Sequence, residues 1–502
     1  MINRFFLYPF LALLIPPSLY GQVETGVQSE ETQAIEAAVP RSDIEMHIRF
    51  LAADEFMGRD TGSPQLDIAG RYIATWFRTN GVNPAPGQKN YYQSVPFRQM
   101  KAPDSGHLAV GDSSFVLARD FIILNSPRGT FEGPLIVLDY GSDSELENVN
   151  VEGKVAIVKA GISGQVAPHQ WLMSTEQKNR SLRERGAEAV IELYDSRQIS
   201  WEMLSGFLNR DRLEIADQEE GDGELPHLWL NSAGNDLHAA FRGMQGADVT
   251  ISVEGDPSAV ITSNNIIGYV EGTDPELRDE YVLLGAHYDH VGTKEQETGN
   301  YIYNGARDNA VGVSAILLAA RYLAANPPER SVIFAAWTAE EIGLLGSGYF
   351  AENPVVPLEQ IIFNLNIDGA GYNDTTRVTV LGLERTEAEE DLRESAEAFG
   401  LEAIPDPVPE QNLFDRSDNV NFAGRGIPAP TYSLGITAFD DEIERYYHTV
   451  HDDPDSIDYP YITRYIRSFL LAAQKVANSD EPPFWREGDI YEEAGRELYG
   501  KE

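Results

Sequence analysis

The chain has 502 residues, 42% of them hydrophobic and 10% aromatic, too many for one ordinary core, so a folded protein of two or three domains is expected. Eighty Asp and Glu against 38 Lys and Arg leave a formal net charge of −42, which argues against nucleic acid and anionic membrane surfaces as partners. There is no Cys, which excludes disulfides, lipoprotein attachment, thiol nucleophiles and thiolate ligands; any metal site must draw on carboxylates and the nine His.

The acids are spread along the chain, which fits either a well-solvated surface or adaptation to high salt, where screening relieves self-repulsion. Residues 1–21 carry one positive charge, Arg4, before an apolar run over 5–15. That run is too short to span a bilayer and fits a cleaved secretion signal, implying a secreted or periplasmic protein. After a polar, acidic stretch to residue 40, Ser42-Asp43-Ile44-Glu45 resembles a helix cap, and Ile44, His47, Ile48 and Leu51 follow at helical spacing. His47 lies on or beside that apolar face and reads as structural. Residues 56–63 are a loop by their glycines, and 65–80 form a second helix with Ala69, Ile73, Trp76 and Phe77 on one face.

From about Phe121 the texture changes to short β-rich runs, 134–139, 155–159, 189–193, 227–230 and 249–253, with one helix between 177 and 186. This reads as an inserted smaller domain. Its His169, His227 and His238 lack carboxylates at ligand spacing and are taken as ordinary. The acidic, glycine-containing 218–225 stretch reads as a solvated loop without the ordered spacing of a calcium loop.

Strand and helix then alternate: strands at 265–271, 281–286, 331–337, 361–367, 377–383 and 431–434, helices at 310–325, 344–350, 387–399 and 460–476. The fold class expected is α/β, a mixed, mostly parallel sheet sandwiched by helices, with the β-rich insert beside it. In such sheets ligands gather at the carboxyl ends of the strands. There the sequence puts His287, Asp289, Asp308, Glu340, Glu341, Asp368 and His448. Each alone has an ordinary explanation as a helix cap or solvated acid. Gathered on one rim, the carboxylates would repel without a cation, and they suffice for two divalent ions if one carboxylate bridges.

GAHYDHVG at 285–292, NGARDNAVG at 304–312, TAEEIGLLGS at 338–347, NLNIDGAG at 364–371 and YHTVHDDPDSID at 447–458 make the chain, from about Ser42 to Ile457, resemble the M28 family of zinc exopeptidases. The resemblance implies two Zn²⁺ ions, with Co or Mn as substitutes: His287 and Asp368 on one ion, Glu341 and His448 on the other, Asp308 bridging. It implies Glu340 as general base, Tyr447 as donor to the oxyanion, Asp289 as the partner fixing the His287 tautomer, and a cis bond after Asp308. His290 and His451 flank the ligands without being assigned to them. Arg307, Val311 and Asn419 depart from the family's pattern, which bears on substrate preference. On this reading 1–21 is the signal, 41–120 the N-terminal part of the peptidase domain, 121–255 a protease-associated insert, 256–480 the catalytic domain and 481–502 a surface-packed tail.

The leading function is an aminopeptidase acting on peptides, with no nucleic acid or membrane partner. A glutamate-carboxypeptidase type uses the same ligands but needs a basic pocket, for which Arg416, Arg425 and Arg445 are the candidates. A single-zinc glutaminyl cyclase, an acyltransferase, and a non-catalytic ectodomain are further alternatives, separated by metal content.

Overall fold

A computed structural model describes residues 29–163, 168–196, 199–216, 225–256, 259–294 and 299–501. The expected signal at 1–21, and the acidic loop apart from Leu225, lie outside the described residues.

Ten strands make one mixed sheet in the order Glu402–Ile404, Arg377–Leu381, Thr431–Leu434, Ile361–Ile367, Tyr281–His287, Ser331–Trp337, Ala259–Val270, Tyr92–Met100 and Arg212–Ile215, with Asn83–Pro84 beside Ala259–Val270. The four strands from Thr431–Leu434 to Ser331–Trp337 are parallel. Beyond them Ala259–Val270, Tyr92–Met100 and Arg212–Ile215 run antiparallel. The α/β expectation holds, with parallel pairing at the centre and antiparallel pairing toward that edge.

The three central strands are buried along their whole length, as near-continuous apolar runs between two helical layers should be. Alternation sorts their side chains. Val282, Leu284, Ala286, Val332, Phe334 and Ala336 meet one core, shared with helices Arg41–Leu51, Pro64–Thr79, Val311–Ala325 and Tyr459–Ala477. Tyr281, Leu283, Ile333, Ala335 and Trp337 face the other, with Phe350, Phe422 and Trp485. Because the strands are parallel and His287 pairs with Trp337, the loops after both strands, and after Ile361–Ile367, open on one rim.

A second sheet of eight strands has the order Ser113–Val116, Ser105–Val110, Asp248–Glu254, Gly129–Val137, Val155–Lys159, Ala189–Tyr194, His227–Asn231 and Phe121–Asn125. It starts at Ser105, not at 121. The hairpin 105–116 escapes sequence reading because only Leu108 and Val110 of its residues are buried, leaving little apolar signal. Arg212–Ile215, although inside the 121–255 stretch, leaves this sheet and adds to the edge of the large one. His227 is not without a carboxylate. Its Nε2 is 2.7 Å from Glu192 Oε1, and Lys178 Nζ is 2.6 Å from Glu192 Oε2, all three buried. The two residues meet across neighbouring parallel strands, 35 positions apart, a pairing that local spacing does not show.

The 481–501 segment is more than a surface tail. Trp485 is 2% exposed, its indole N–H donates to Gly426 O, and helix Glu492–Tyr499 follows. Among the described residues no helix is long and apolar enough to cross a membrane.

Candidate metal centre

The rim delivers its polar groups one loop at a time. His287 ends its strand, and Asp368 directly follows Ile361–Ile367. Asp308 sits in the turn before helix Val311–Ala325, where the Asp308–Asn309 peptide is cis, as the resemblance implied. Ala339 (φ 60°) and His448 (φ 53°) adopt the left-handed backbone region, an uncommon conformation that redirects the chain beside Glu340 and at His448.

Seven of the sequence-derived candidates come together. His287 Nε2 lies 3.2 Å from Asp308 Oδ1 and 3.2 Å from Asp368 Oδ1. His448 Nε2 lies 3.2 Å from Asp308 Oδ2 and 2.9 Å from Glu341 Oε2. The two oxygens of Asp308 thus face different histidines. Ligand atoms of His290, Asp308, Glu341 and His448 gather within 4.8 Å of one another, and so do those of His287, Glu340 and Asp368. Imidazole nitrogens with carboxylate oxygens, convergent and buried or half-buried, are the donor set zinc takes. Tyr447 stacks on His448 at 4.1 Å between ring centres, and its OH accepts from Arg416 Nη2 at 3.2 Å.

Asp289 is buried at the site, and its carboxylate makes contacts that the sequence did not show. His287 Nδ1 is 3.2 Å from the Asp289 main-chain carbonyl, while the carboxylate stands 3.9 Å away. That carboxylate accepts instead from the amides of Glu340 (3.2 Å) and Glu341 (3.4 Å) and from the Thr61 hydroxyl (3.0 Å). The tight turn at Ala339 points those two amides at it, so Asp289 holds the loop that carries Glu340 and Glu341.

Burial is the largest influence on each of these groups. It pushes Asp289 up to about 6, and it drives Glu340 well above the usual carboxylate range, against the pull of His287. For His448 burial is outweighed by Asp308 and then Glu341, which push the imidazole up to about 10. For Asp308 it is outweighed by His287 and His448, which hold that carboxyl well below its usual range. Burial, with Asp308 adding its charge, raises the Tyr447 phenol, so it keeps its proton at neutral pH. So many buried carboxylates in one place require positive charge.

Several neighbours escaped sequence reasoning. Ser417 Oγ donates to Asp368 Oδ2 at 2.6 Å. His290 Nδ1 lies 2.6 Å from Glu341 Oε1, on the carboxylate oxygen away from His448; His451 is exposed. Asp452 accepts from the amides of Arg307 and Asp308, while the Arg307 guanidinium bonds Asp452, lies 3.7 Å from the ring centre of Tyr446 and reaches Ser456. His290, Arg307 and Asp452 sit inside the quoted motifs, which gave them a signal; Ser417 lies outside those motifs. The departures Val311 and Asn419 are both buried, Asn419 donating to Ala429 O.

Residues 265–473 match the sequence model of peptidase family M28. Over that segment the chain is similar to family M28. Over a longer span, aminopeptidase YwaD of Bacillus subtilis (strain 168) is 25% identical across 316 residues, covering 61% of this chain and 59% of YwaD. Aminopeptidase NAALADL1 of Mus musculus is 32% identical across 319 residues, 50% of this chain and 40% of that protein. The chain therefore spans less than two thirds of these relatives. An aminopeptidase structure from Aneurinibacillus sp. strain AM-1 matches 90% of this chain and 97% of its own with a TM-score of 0.55 at 21% identity, a likeness of fold. The M28 segment contains every candidate ligand, from His287 to His448.

Proposed function

We propose that the protein is a zinc-dependent exopeptidase, an aminopeptidase that removes residues from the free N-termini of peptides and holds two zinc ions per chain. The observation that carries it is Asp308, whose two carboxylate oxygens each lie 3.2 Å from a different histidine, His287 on one side and His448 on the other. In this reading His287, Asp308, Glu341, Asp368 and His448 would hold the two ions. Bound zinc would supply Lewis acidity, lowering the pKa of water and polarising a carbonyl. Similarity to the family and the names of the relatives support a peptide substrate.

The chain's own residues supply the rest. Glu340, next to a ligand, takes the proton of the attacking water and returns it to the leaving amine. The Tyr447 phenol keeps its proton and donates to the carbonyl oxygen as negative charge grows there, while Arg416 holds the phenol in place. Ser417 fixes one Asp368 oxygen. Asp289 keeps the Glu340–Glu341 loop at its working distance. Exported on its N-terminal signal, the enzyme would meet peptides outside the cytoplasm.

One observation favours a second reading: Arg416 lines the cleft above the ligands and could receive a terminal carboxylate, as a carboxypeptidase of the glutamate type requires. Metal analysis with end-blocked peptides separates the possibilities. The aminopeptidase reading expects two zinc equivalents per chain and hydrolysis of C-amidated but not N-acetylated peptides. The opposite preference identifies a carboxypeptidase. One equivalent with release of cyclised N-termini identifies a glutaminyl cyclase.

A further inference from the structure

Helices Arg41–Leu51 and Pro64–Thr79 are joined by a strap that lies well outside the M28 segment and presses against its metal-binding loops. Arg59, 1% exposed, sits at its centre. Its Nε donates to Tyr288 O (2.8 Å), its Nη1 to Leu51 O (2.8 Å) and Asn304 O (2.6 Å), and its Nη2 to Gly305 O (2.9 Å). The Arg59 carbonyl in turn accepts from the His290 amide at 3.1 Å. Two residues on, Thr61 donates to Asp289 Oδ2 at 3.0 Å. The approach is close: a Cβ at Gly58 would lie 2.2 Å from Gly292 O and 2.6 Å from Tyr303 O, and the Gly292 amide donates to Gly58 O.

A buried guanidinium is costly unless its donors are met, and here they are met by carbonyls of three separate segments. Two of those segments are ligand-bearing loops. Tyr288 lies between His287 and Asp289, and Gly305 lies three residues before Asp308. Asp289, fixed by Thr61, holds the amides of Glu340 and Glu341. The strap therefore bears on the segments of His287, Asp308 and Glu341 at once. Only a planar, forked cation can do this; an ammonium cannot span the same acceptors.

We propose that the 56–63 strap is a positioning element of the metal centre, in which Arg59 and Thr61 set the spacing of the ligand loops so that the cage closes on its cations. The inference rests on the dizinc reading above. Its test compares wild type, Arg59→Lys and Thr61→Val in zinc affinity by chelator competition, in the visible absorption of the Co²⁺-loaded protein, and in kcat and KM, with thermal unfolding of the chelated proteins as the control for folding. Loss of an outer contact to metal ligands costs about 10–100-fold in metal affinity or activity. Thr61→Val should therefore weaken zinc about tenfold, and Arg59→Lys more. Both should alter the cobalt spectrum and lower kcat more than they raise KM, while Thr61→Val unfolds like wild type without metal. Wild-type zinc affinity and an unchanged cobalt spectrum in folded variants would overturn the proposal. If Arg59→Lys fails to fold, Thr61→Val decides alone, since it exchanges only a hydroxyl for a methyl. Wild type that binds zinc while the variants bind it equally well sinks the strap alone; wild type that binds none sinks the metal centre and the strap with it.

Discussion

Glu340 and Glu341 are neighbours in sequence yet occupy different surroundings, and that difference makes them separable by substitution. Glu341 has one oxygen at 2.9 Å from His448 and the other at 2.6 Å from His290. Glu340 groups with His287 and Asp368. Glu340→Gln should keep its metal and lose about 10²–10⁴-fold in kcat, the range for a general base; Glu341→Gln should lose metal. A Glu340→Gln protein with near-normal turnover would remove the base assignment. His47 shows the other kind of buried histidine. It sits 4.3 Å edge-on from the Trp76 ring, with Nδ1 2.7 Å from Tyr72 OH, and burial, then the charge of Arg321, lowers it to about 4. Since the unfolded chain takes up a proton near 6.5 and the folded one near 4, stability is full above 6.5 and falls as the pH drops toward 4. The loss should reach about 3 kcal/mol. Urea unfolding at neutral and acidic pH should therefore show a flatter profile in His47→Gln than in wild type.

At the scale of elements, the site depends on loops being tied to one another from behind. Asp452, in the loop after His448, accepts from the amides of Arg307 and Asp308, and the Arg307 side chain returns to Asp452, Ser456 and the face of Tyr446. The turn that carries Asp308 and the loop that carries Tyr447 and His448 are thereby one unit. Arg307→Met leaves the fully buried Asp452 without its cation, so it should destabilise by about 3–5 kcal/mol. Because only the main-chain amides then tie the two loops together, zinc affinity should fall as well; thermal unfolding and chelator competition report the two effects separately. The closing segment behaves likewise: Phe484 and Trp485 complete the core on the Trp337 face, which is why a stretch with the look of a tail folds into a helix against the domain.

Taken whole, the molecule combines a charge of −42 with a cluster of buried carboxylates, and both should be visible in its stability. Chelation removes the cations that bind only the folded form. With free zinc at about a thousand times its Kd, that should cost about 4 kcal/mol and lower the unfolding midpoint. An unchanged midpoint after complete chelation would count against a tightly held metal. Salt acts on the surface. Raising ionic strength from about 0.1 to 1 M shortens the screening length from about 10 to 3 Å. Self-repulsion should weaken, so the midpoint of the chelated protein is expected to rise in a thermal scan; a flat response would mean the acids are simply solvated.

The sequence by itself determined the alternation of strands and helices, the shared rim of the parallel strands, and the residues gathered there, because burial periodicity and short polar motifs are local signals. His287, Asp308, Glu340, Glu341, Asp368 and His448 were all found that way. Only the tertiary structure decided what stands behind them. Arg59, an arginine in a glycine loop, carries no signal in the sequence until three carbonyls from distant segments converge on it. Asp289 was legible as a member of the site but not in these contacts, because its partners are main-chain amides whose direction is set by the turn at Ala339. Glu192 and His227 met across neighbouring strands, and the 105–116 hairpin joined the second sheet through pairing rather than apolar content. In each case the deciding interaction joins residues far apart in the chain, and chain closure, not spacing, brings them within reach.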